Sequence, residues 1–248
     1  MSGGFLKHYP DAGARQRDEA NYRWLASLHG PAHLPELLAA TGPDLCFEHI
    51  EGRHALRHDL TRLAAHLGDL HGAAYTAELH RAHLGQAHRS PSGHLLPGFP
   101  DRRLAAVARE LNAGNVPGAT LTAAQAQHLI AAADGPAAFY KDANPRNFLI
   151  TPAGTPVTID FDDLTLAPFG YDLAKLTLTL VMTHGPLPPP AITQALNAYN
   201  TATSNRCRTL PAVTRNQLAN GTEIHHILTS RYAADGRYPH RWNKVRTG

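Results

Sequence analysis

Apolar residues recur at helical intervals over several separated stretches of the chain, with short apolar runs between them. Ala20, Trp24, Leu25 and Leu28 share one face of a helix predicted over Ala14 to Leu28, which Gly30-Pro31 should end. Leu60, Leu63, Ala64, Leu67 and Leu70 mark a second amphipathic helix from about Leu56 to Ala74. Helices are also expected over Leu104 to Leu111, over Thr122 to Ala133 with Thr120 or Thr122 as N-cap, and over Gly170 to Met182. Pro186 to Pro190 breaks the last of these, and Ala191 to Tyr199 and Gln217 to Tyr232 complete the helical set. Phe5-Leu6-Lys7 and Asp44 to Glu51 have the character of short strands, and His80 to Pro100 that of a loop. Ala137 to Ile150 and Thr155 to Phe161 are short apolar runs joined by Thr151-Pro152-Ala153-Gly154, which predicts a hairpin. There is no internal repeat.

Length and composition narrow this picture without deciding it. With 248 residues, 43% apolar and 17% charged, the chain can fold around one large core or two modest ones. No stretch approaches the roughly 20 apolar residues of a membrane helix, and Met1 to Gly13 lacks a signal-peptide core, so a soluble, cytoplasmic protein is expected. Cys46 and Cys207 suit free thiols rather than a disulfide or zinc site, and the 17 histidines are dispersed without an HExxH or CxxC pattern. The +3 formal charge is concentrated near the end, at Arg231, Arg237, Arg241, Lys244 and Arg246. That segment could meet an anion, but charge alone gives no case for nucleic-acid binding.

The chemistry is concentrated in Phe139-Tyr-Lys-Asp-Ala-Asn-Pro-Arg-Asn-Phe-Leu-Ile150 and Val157-Thr-Ile-Asp-Phe-Asp-Asp163. Phosphoryl transfer needs a carboxylate to accept or orient the proton of an attacking hydroxyl, and Asp142 stands in a loop between two apolar runs. It also needs oxygen ligands for magnesium. Asn147 follows Asp142 by five positions, the D-x-x-x-x-N spacing of a kinase catalytic loop, and Asp160 ends an apolar strand a further 13 on.

At these residues the chain resembles the aminoglycoside phosphotransferase and choline kinase family, whose catalytic segment reads H-G-D-x-x-x-x-N, then a hairpin and I-D-[FW]-[DE]. The resemblance implies an α+β, two-lobed, protein-kinase-like fold with a reduced N-terminal lobe and hinge over residues 1–51. A mainly helical C-terminal lobe with the catalytic and metal-binding loops would take up 52–248. It further implies Asp142 as catalytic base and Asn147 and Asp160 as magnesium ligands. Gly170-Tyr-Asp-Leu-Ala174 resembles the family's Y-D-L-A, where Asp172 would anchor the catalytic loop. Lys7 resembles the strand lysine on the α/β-phosphates, Glu19 its helix partner, and Phe47 to Gly52 the hinge, where backbone groups of about Glu48 to Ile50 would read adenine. Leu67 to His71 resembles the helix that follows.

Two departures stand out. The glycine-containing hairpin that covers the phosphates has no counterpart before Lys7, so either the true start lies upstream, or a partner chain or an unusual active site completes the nucleotide cover. Tyr140-Lys141 replaces the usual His-Gly before the aspartate: Tyr140 could supply the histidine's support, and Lys141 could either draw a phosphate toward the base or point to solvent. The expected activity is transfer of the ATP γ-phosphate, with Mg2+, to a hydroxyl of a small natural product or a peptide Ser/Thr, in antibiotic biosynthesis or resistance. A pseudokinase-like scaffold that binds nucleotide or peptide is the alternative.

Overall fold

In the computed structural model, which describes residues 4–28 and 34–246, the chain begins with a three-stranded antiparallel sheet and one helix against it. Strands β1 (Gly4–His8), β2 (Leu37–Thr41) and β3 (Asp44–Glu48) lie in the order β1-β3-β2, with Phe5 opposite Phe47 and Lys7 opposite Leu45. Helix α1 (Ala12–Ser27) is capped by Asp11, whose carboxylate accepts the amide of Ala14 at 2.8 Å. It packs through Tyr22 onto Phe47 at 5.3 Å between ring centroids. Strand β2 was not anticipated: Leu-Leu-Ala-Ala-Thr is largely exposed and weak in β-propensity, and pairing with β3 makes it a strand. The Gly30-Pro31 stop lies outside the described residues.

The rest is mainly helical. It runs through β4 (Arg53–His54), α2 (Leu60–Ala77), a small ladder β5 (His88–Arg89) with β6 (Leu95–Leu96), α3 (Pro100–Asn112) and α4 (Ala123–Ala131). Thr122 and Gln125 form a capping box on α4. Strands β7 (Ala137–Tyr140), β8 (Phe148–Ile150), β9 (Pro156–Thr158) and β10 (Thr165–Pro168) follow, then helices α5 (Tyr171–His184), α6 (Ala191–Arg206), α7 (Arg215–Ala234) and α8 (Trp242–Val245). The hairpin is β8–β9, with Leu149 opposite Val157. Strand β7 does not continue into it; it pairs with β10, so the residues between β7 and β8 form a loop suspended between two small sheets.

Helix α5 is buried throughout Tyr171 to Met182. Its threonines are tolerated there because Thr177 and Thr179 donate back to the carbonyls of Leu173 and Lys175 at 2.8 and 2.7 Å. One apolar cluster runs from Trp24, Leu25 and Phe47 of the N-terminal part to Phe139 and Phe161; a second joins α2, α5 and α6. Helices α2 and α6 meet at Gly68, where a Cβ would clash with the carbonyl oxygen of Tyr199. Gly68→Ala should therefore cost about 1–3 kcal/mol in urea unfolding. Gly85→Ala, where nothing lies within 4 Å, serves as the near-neutral control. No helix among the described residues is long and apolar enough to cross a membrane.

Candidate active site

The loop after β7 is shaped by one carboxylate. Asp172, fully buried in the first turn of α5, accepts the amides of Lys141 at 3.0 Å and Ala143 at 3.1 Å, gripping the residues on either side of Asp142. Between them Asp142 adopts φ +58°, a left-handed conformation uncommon outside glycine. Its side chain is thereby turned out of the loop and is 37% exposed. Behind Asp172 stands His71, whose Nδ1 is 2.7 Å from the Tyr199 hydroxyl, and that hydroxyl also accepts the Gly170 amide at 3.0 Å.

Two groups hold the Asp142 carboxylate. The Tyr140 hydroxyl donates to it at 2.9 Å, and the Lys175 ammonium lies 3.2 Å away. Lys141, the cation expected beside the base or in solvent, does neither. It is 1% exposed and turned inward, its Nζ on the Ile159 carbonyl at 3.3 Å and 4.5 Å from the Phe148 ring centroid. Successive side chains of an extended segment point to opposite sides, so Tyr140 reaches Asp142 while Lys141 goes under the loop that bears Asp160. Burial lowers the pKa of Lys141, with Asp172, Asp142 and Asp160 opposing. Lys175 is held above its ordinary value: burial disfavours the charge, and Asp142 outweighs it. Lys175 was not anticipated because its link to Asp142 crosses 33 positions; its place as the one charged residue in the helical stretch Leu173 to Val181 was the available signal.

Asn147 donates its amide nitrogen to the Asp142 carbonyl at 2.8 Å, which leaves its amide oxygen outside that bond. Its own carbonyl accepts the amide of Ile159 at 3.0 Å, so the loop is tied directly to the residue before Asp160. Asp160 has φ +64°, the second non-glycine left-handed position among the described residues. Its carboxylate meets the Lys7 ammonium at 2.7 Å.

Glu19 does not pair with Lys7; that expectation is corrected. The helix acid at Lys7 is Asp18, at 3.3 Å, and Tyr9 donates its hydroxyl to the same carboxylate. The reason is helical phase. Asp18, Asn21, Tyr22 and Leu25 lie on the face turned to the interior, where Asn21 donates to the Phe161 carbonyl at 2.6 Å. Glu19 lies on a neighbouring face and pairs with Arg15 and Arg23, four residues to either side. The i, i+3, i+4, i+7 spacing of the buried set was the signal that would have chosen Asp18.

Lys7 also contacts Asp162 at 2.8 Å, so three carboxylates face one ammonium. Lys7 is raised above its usual value: burial opposes its charge, and Asp18, Asp160 and Asp162 outweigh it. Burial also acts against Asp160, yet its bond and charge from Lys7 hold it below the ordinary carboxylate range. Asp18 goes the other way, pushed up to about 7 by burial and by Asp162 against the pull of Lys7. The excess negative charge, the oxygen of Asn147 and the carboxylate of Asp160 fit a hard divalent cation that keeps several waters. Among the described residues no group of three or more His, Cys, Asp and Glu side chains is arranged to hold a metal ion.

Lys7, Asp160, Glu48 and Ile50 line one cavity of about 400 Å3, walled by Phe5, Phe47, Leu149 and Ile159. The Glu48 amide is committed to the Glu36 carbonyl at 2.8 Å. Asp142 opens into a second cavity of about 270 Å3, with Lys175, Tyr140 and several arginines.

Asp18 gives this site a pH dependence. Below pH 7 it carries its proton and Lys7 loses a counter-charge; above pH 7 the pair is ionic. Any activity that needs the Lys7 ion pair should therefore show an acid limb near pH 7, abolished in Asp18→Asn and kept in Glu19→Gln. Because the folded-state value lies above the ordinary 3.8, the group stabilises the fold at acid pH and loses that contribution as pH rises through 7. In urea unfolding the wild type should gain on Asp18→Asn between pH 8 and pH 5.

Solved structures similar to the chain share its fold at low identity. A choline kinase from Cryptosporidium parvum Iowa II superposes with TM-score 0.61 at 13% identity, over 96% of this chain and 76% of that one. An aminoglycoside-3'-phosphotransferase of type VIII gives 0.52 at 19%, over 90% and 84%. An amicoumacin kinase in complex with AMP-PNP and Ca2+ gives 0.53 at 12%, over 95% and 79%. Among curated proteins the sequence finds no match. The fold is thus the two-lobed, protein-kinase-like one, with a small sheet-containing lobe and a mainly helical lobe. The model of the phosphotransferase enzyme family matches residues 5–209, which hold Lys7, Asp142, Asn147, Asp160 and Asp172, and the chain belongs to that family of kinase-type enzymes, which transfer phosphate to a hydroxyl group.

Proposed function

We propose that the protein uses ATP with Mg2+ to phosphorylate a hydroxyl of a small natural product in the cytoplasm, in antibiotic biosynthesis or resistance. The observation that carries this reading is the placement of Lys7, Ile50 and Asp160 in one cavity, while Asp142, bonded to Asn147 through its backbone, faces another. A catalytic role rather than a scaffold accords with the enzyme family and with the retention of all three oxygen-bearing side chains. A small molecule is preferred to a peptide Ser/Thr because the similar solved structures are kinases named for small molecules, among them an aminoglycoside, a macrolide and amicoumacin.

Lys7 would hold the α/β-phosphates, kept charged and in place by Asp18. Asn147 and Asp160 would hold the magnesium, whose contribution is to offset charge on the phosphates. Asp142, with its carboxylate positioned by Tyr140 and Lys175, would orient the acceptor hydroxyl and receive its proton. Lys175 would then stabilise charge near the transferred group. Most of the catalysis is positioning and electrostatics.

The test is incubation with ATP, Mg2+ and a panel of hydroxy compounds. ADP should appear in proportion to one acceptor, with the phosphorylated acceptor found by mass spectrometry. Nucleotide binding without transfer to any acceptor would count against the proposal.

A further inference from the structure

The cavity beside Asp142 has more positive charge than its own acids neutralise. Each carboxylate in its lining has a dedicated cation: Asp142 has Lys175 at 3.2 Å, Asp163 has Arg102 at 3.4 Å, and Glu110 has Arg109 at 2.9 Å. Arg103 and Arg231 line the same space and pair with no carboxylate among the described residues.

Arg103 is the more informative of the two. It is 5% exposed, and its guanidinium donates to the Phe99 carbonyl at 2.8 Å, the Thr165 hydroxyl at 2.9 Å and the Tyr171 hydroxyl at 3.2 Å. It also lies within 5.0 Å of the ring centroids of Phe99, Tyr140 and Tyr171. Its donors are met by neutral acceptors and ring faces, and no carboxylate touches it among the described residues; Asp163 feels its charge from a distance but is already in contact with Arg102. A buried charge without a partner of opposite sign is costly, and its field reaches far in a medium of low polarisability. His225, buried between Tyr140 and Tyr171, is held well below its usual range by burial first, then by Lys175 and Arg103.

Arg231 stands at the mouth. It is exposed and stacks on the Tyr232 ring at 4.5 Å, with Arg237 on the same ring at 4.9 Å, which holds two guanidinium groups at one edge of the cavity. Of the basic residues near the end of the chain, Arg231 thus lines the cavity of the residue proposed to orient the acceptor, whereas Arg241 lines a different cavity and Arg246 pairs with Glu223. Such a lining repels ammonium groups and favours an anion, and planar guanidinium groups suit carboxylate and phosphate oxygens.

We propose that the acceptor is a hydroxy compound carrying a carboxylate or phosphate group, held by the arginines of this cavity while its hydroxyl faces Asp142. This rests on the phosphotransferase reading and names the chemical class of its acceptor. It sets the chain apart from kinases whose acceptors are polyamines or quaternary amines, since Arg103 and Arg231 would oppose such a cation.

Matched compounds test the proposal: galacturonate, galactose and galactosamine as one series, and glycerate, glycerol and 2-amino-1,3-propanediol as another. Each is titrated onto the full chain, by saturation-transfer NMR and by ADP release. The acid of at least one series should bind about tenfold more tightly than its amine, the preference falling with salt. Arg231→Gln should reduce that preference severalfold and Arg231→Lys should restore part of it, which a merely structural role would not do. Equal binding across charge, preference for the amines, or no binding by either acid would overturn the proposal. A parallel titration with AMP-PNP and Mg2+ keeps the two readings apart, because failure there removes the phosphotransferase reading whatever the charge preference.

Discussion

Asp142→Asn should lower kcat by about 10²–10⁴-fold and leave the affinity for ATP with Mg2+ close to that of the wild type. The amide keeps the shape of the side chain and can still accept from Tyr140, which now donates at 2.9 Å, so the loop geometry is preserved. What is lost is the capacity to receive a proton, together with the charge that balances Lys175 at 3.2 Å. Single-turnover assays with a saturating acceptor separate the chemical step from binding. A fall in nucleotide affinity with unchanged kcat would place Asp142 in the nucleotide cleft instead, and the assigned roles would have to be exchanged.

Asp172→Ala should be the most destabilising of these substitutions, by about 3–5 kcal/mol in urea unfolding. The carboxylate is fully buried and satisfies the amides of Lys141 and Ala143, which would otherwise be left without acceptors in the interior. Those bonds also hold Asp142 in its left-handed conformation, so the surviving folded fraction should have low activity as well. Asp172→Asn offers one acceptor oxygen for two amides and should fall between Asp172→Ala and the wild type. A cost within 1 kcal/mol for Asp172→Ala would show that the loop is held by other means.

The helices with a clear apolar face, α1 and α2, were legible in the sequence, as were the Thr122 cap and the segment from Asp142 to Asp160. In those places local pattern and tertiary role coincide. The reading failed where a residue's partner is remote or its neighbour is chemically alike. Strand β2 looks like an indifferent alanine-rich stretch until β3 supplies its hydrogen bonds. Strand β10 is a short run ending in Pro168, and only its register with β7 makes it a strand. Asp18 and Glu19 are adjacent acids, and one step along the helix decides which meets Lys7 and which meets Arg15 and Arg23.

Lys141 and Lys175 exchange the places that sequence proximity assigns them. The lysine next to Asp142 in the chain lies beneath the loop, and the one beside it in space comes from α5. Arg103 illustrates the same limit. Its position on α3 marks it as a charged residue of an amphipathic helix, and only the convergence of Phe99, Thr165, Tyr140 and Tyr171 makes it a buried cation next to the proposed acceptor cavity.

The measurement that bears most directly on the whole account is a crystal structure with AMP-PNP and Mg2+. The expected result is a metal ion on the Asp160 carboxylate and the Asn147 amide oxygen, Lys7 on the α- and β-phosphates, and adenine against the backbone of Glu48 to Ile50. A nucleotide bound elsewhere, or phosphates held without Lys7, Asn147 and Asp160, would contradict it.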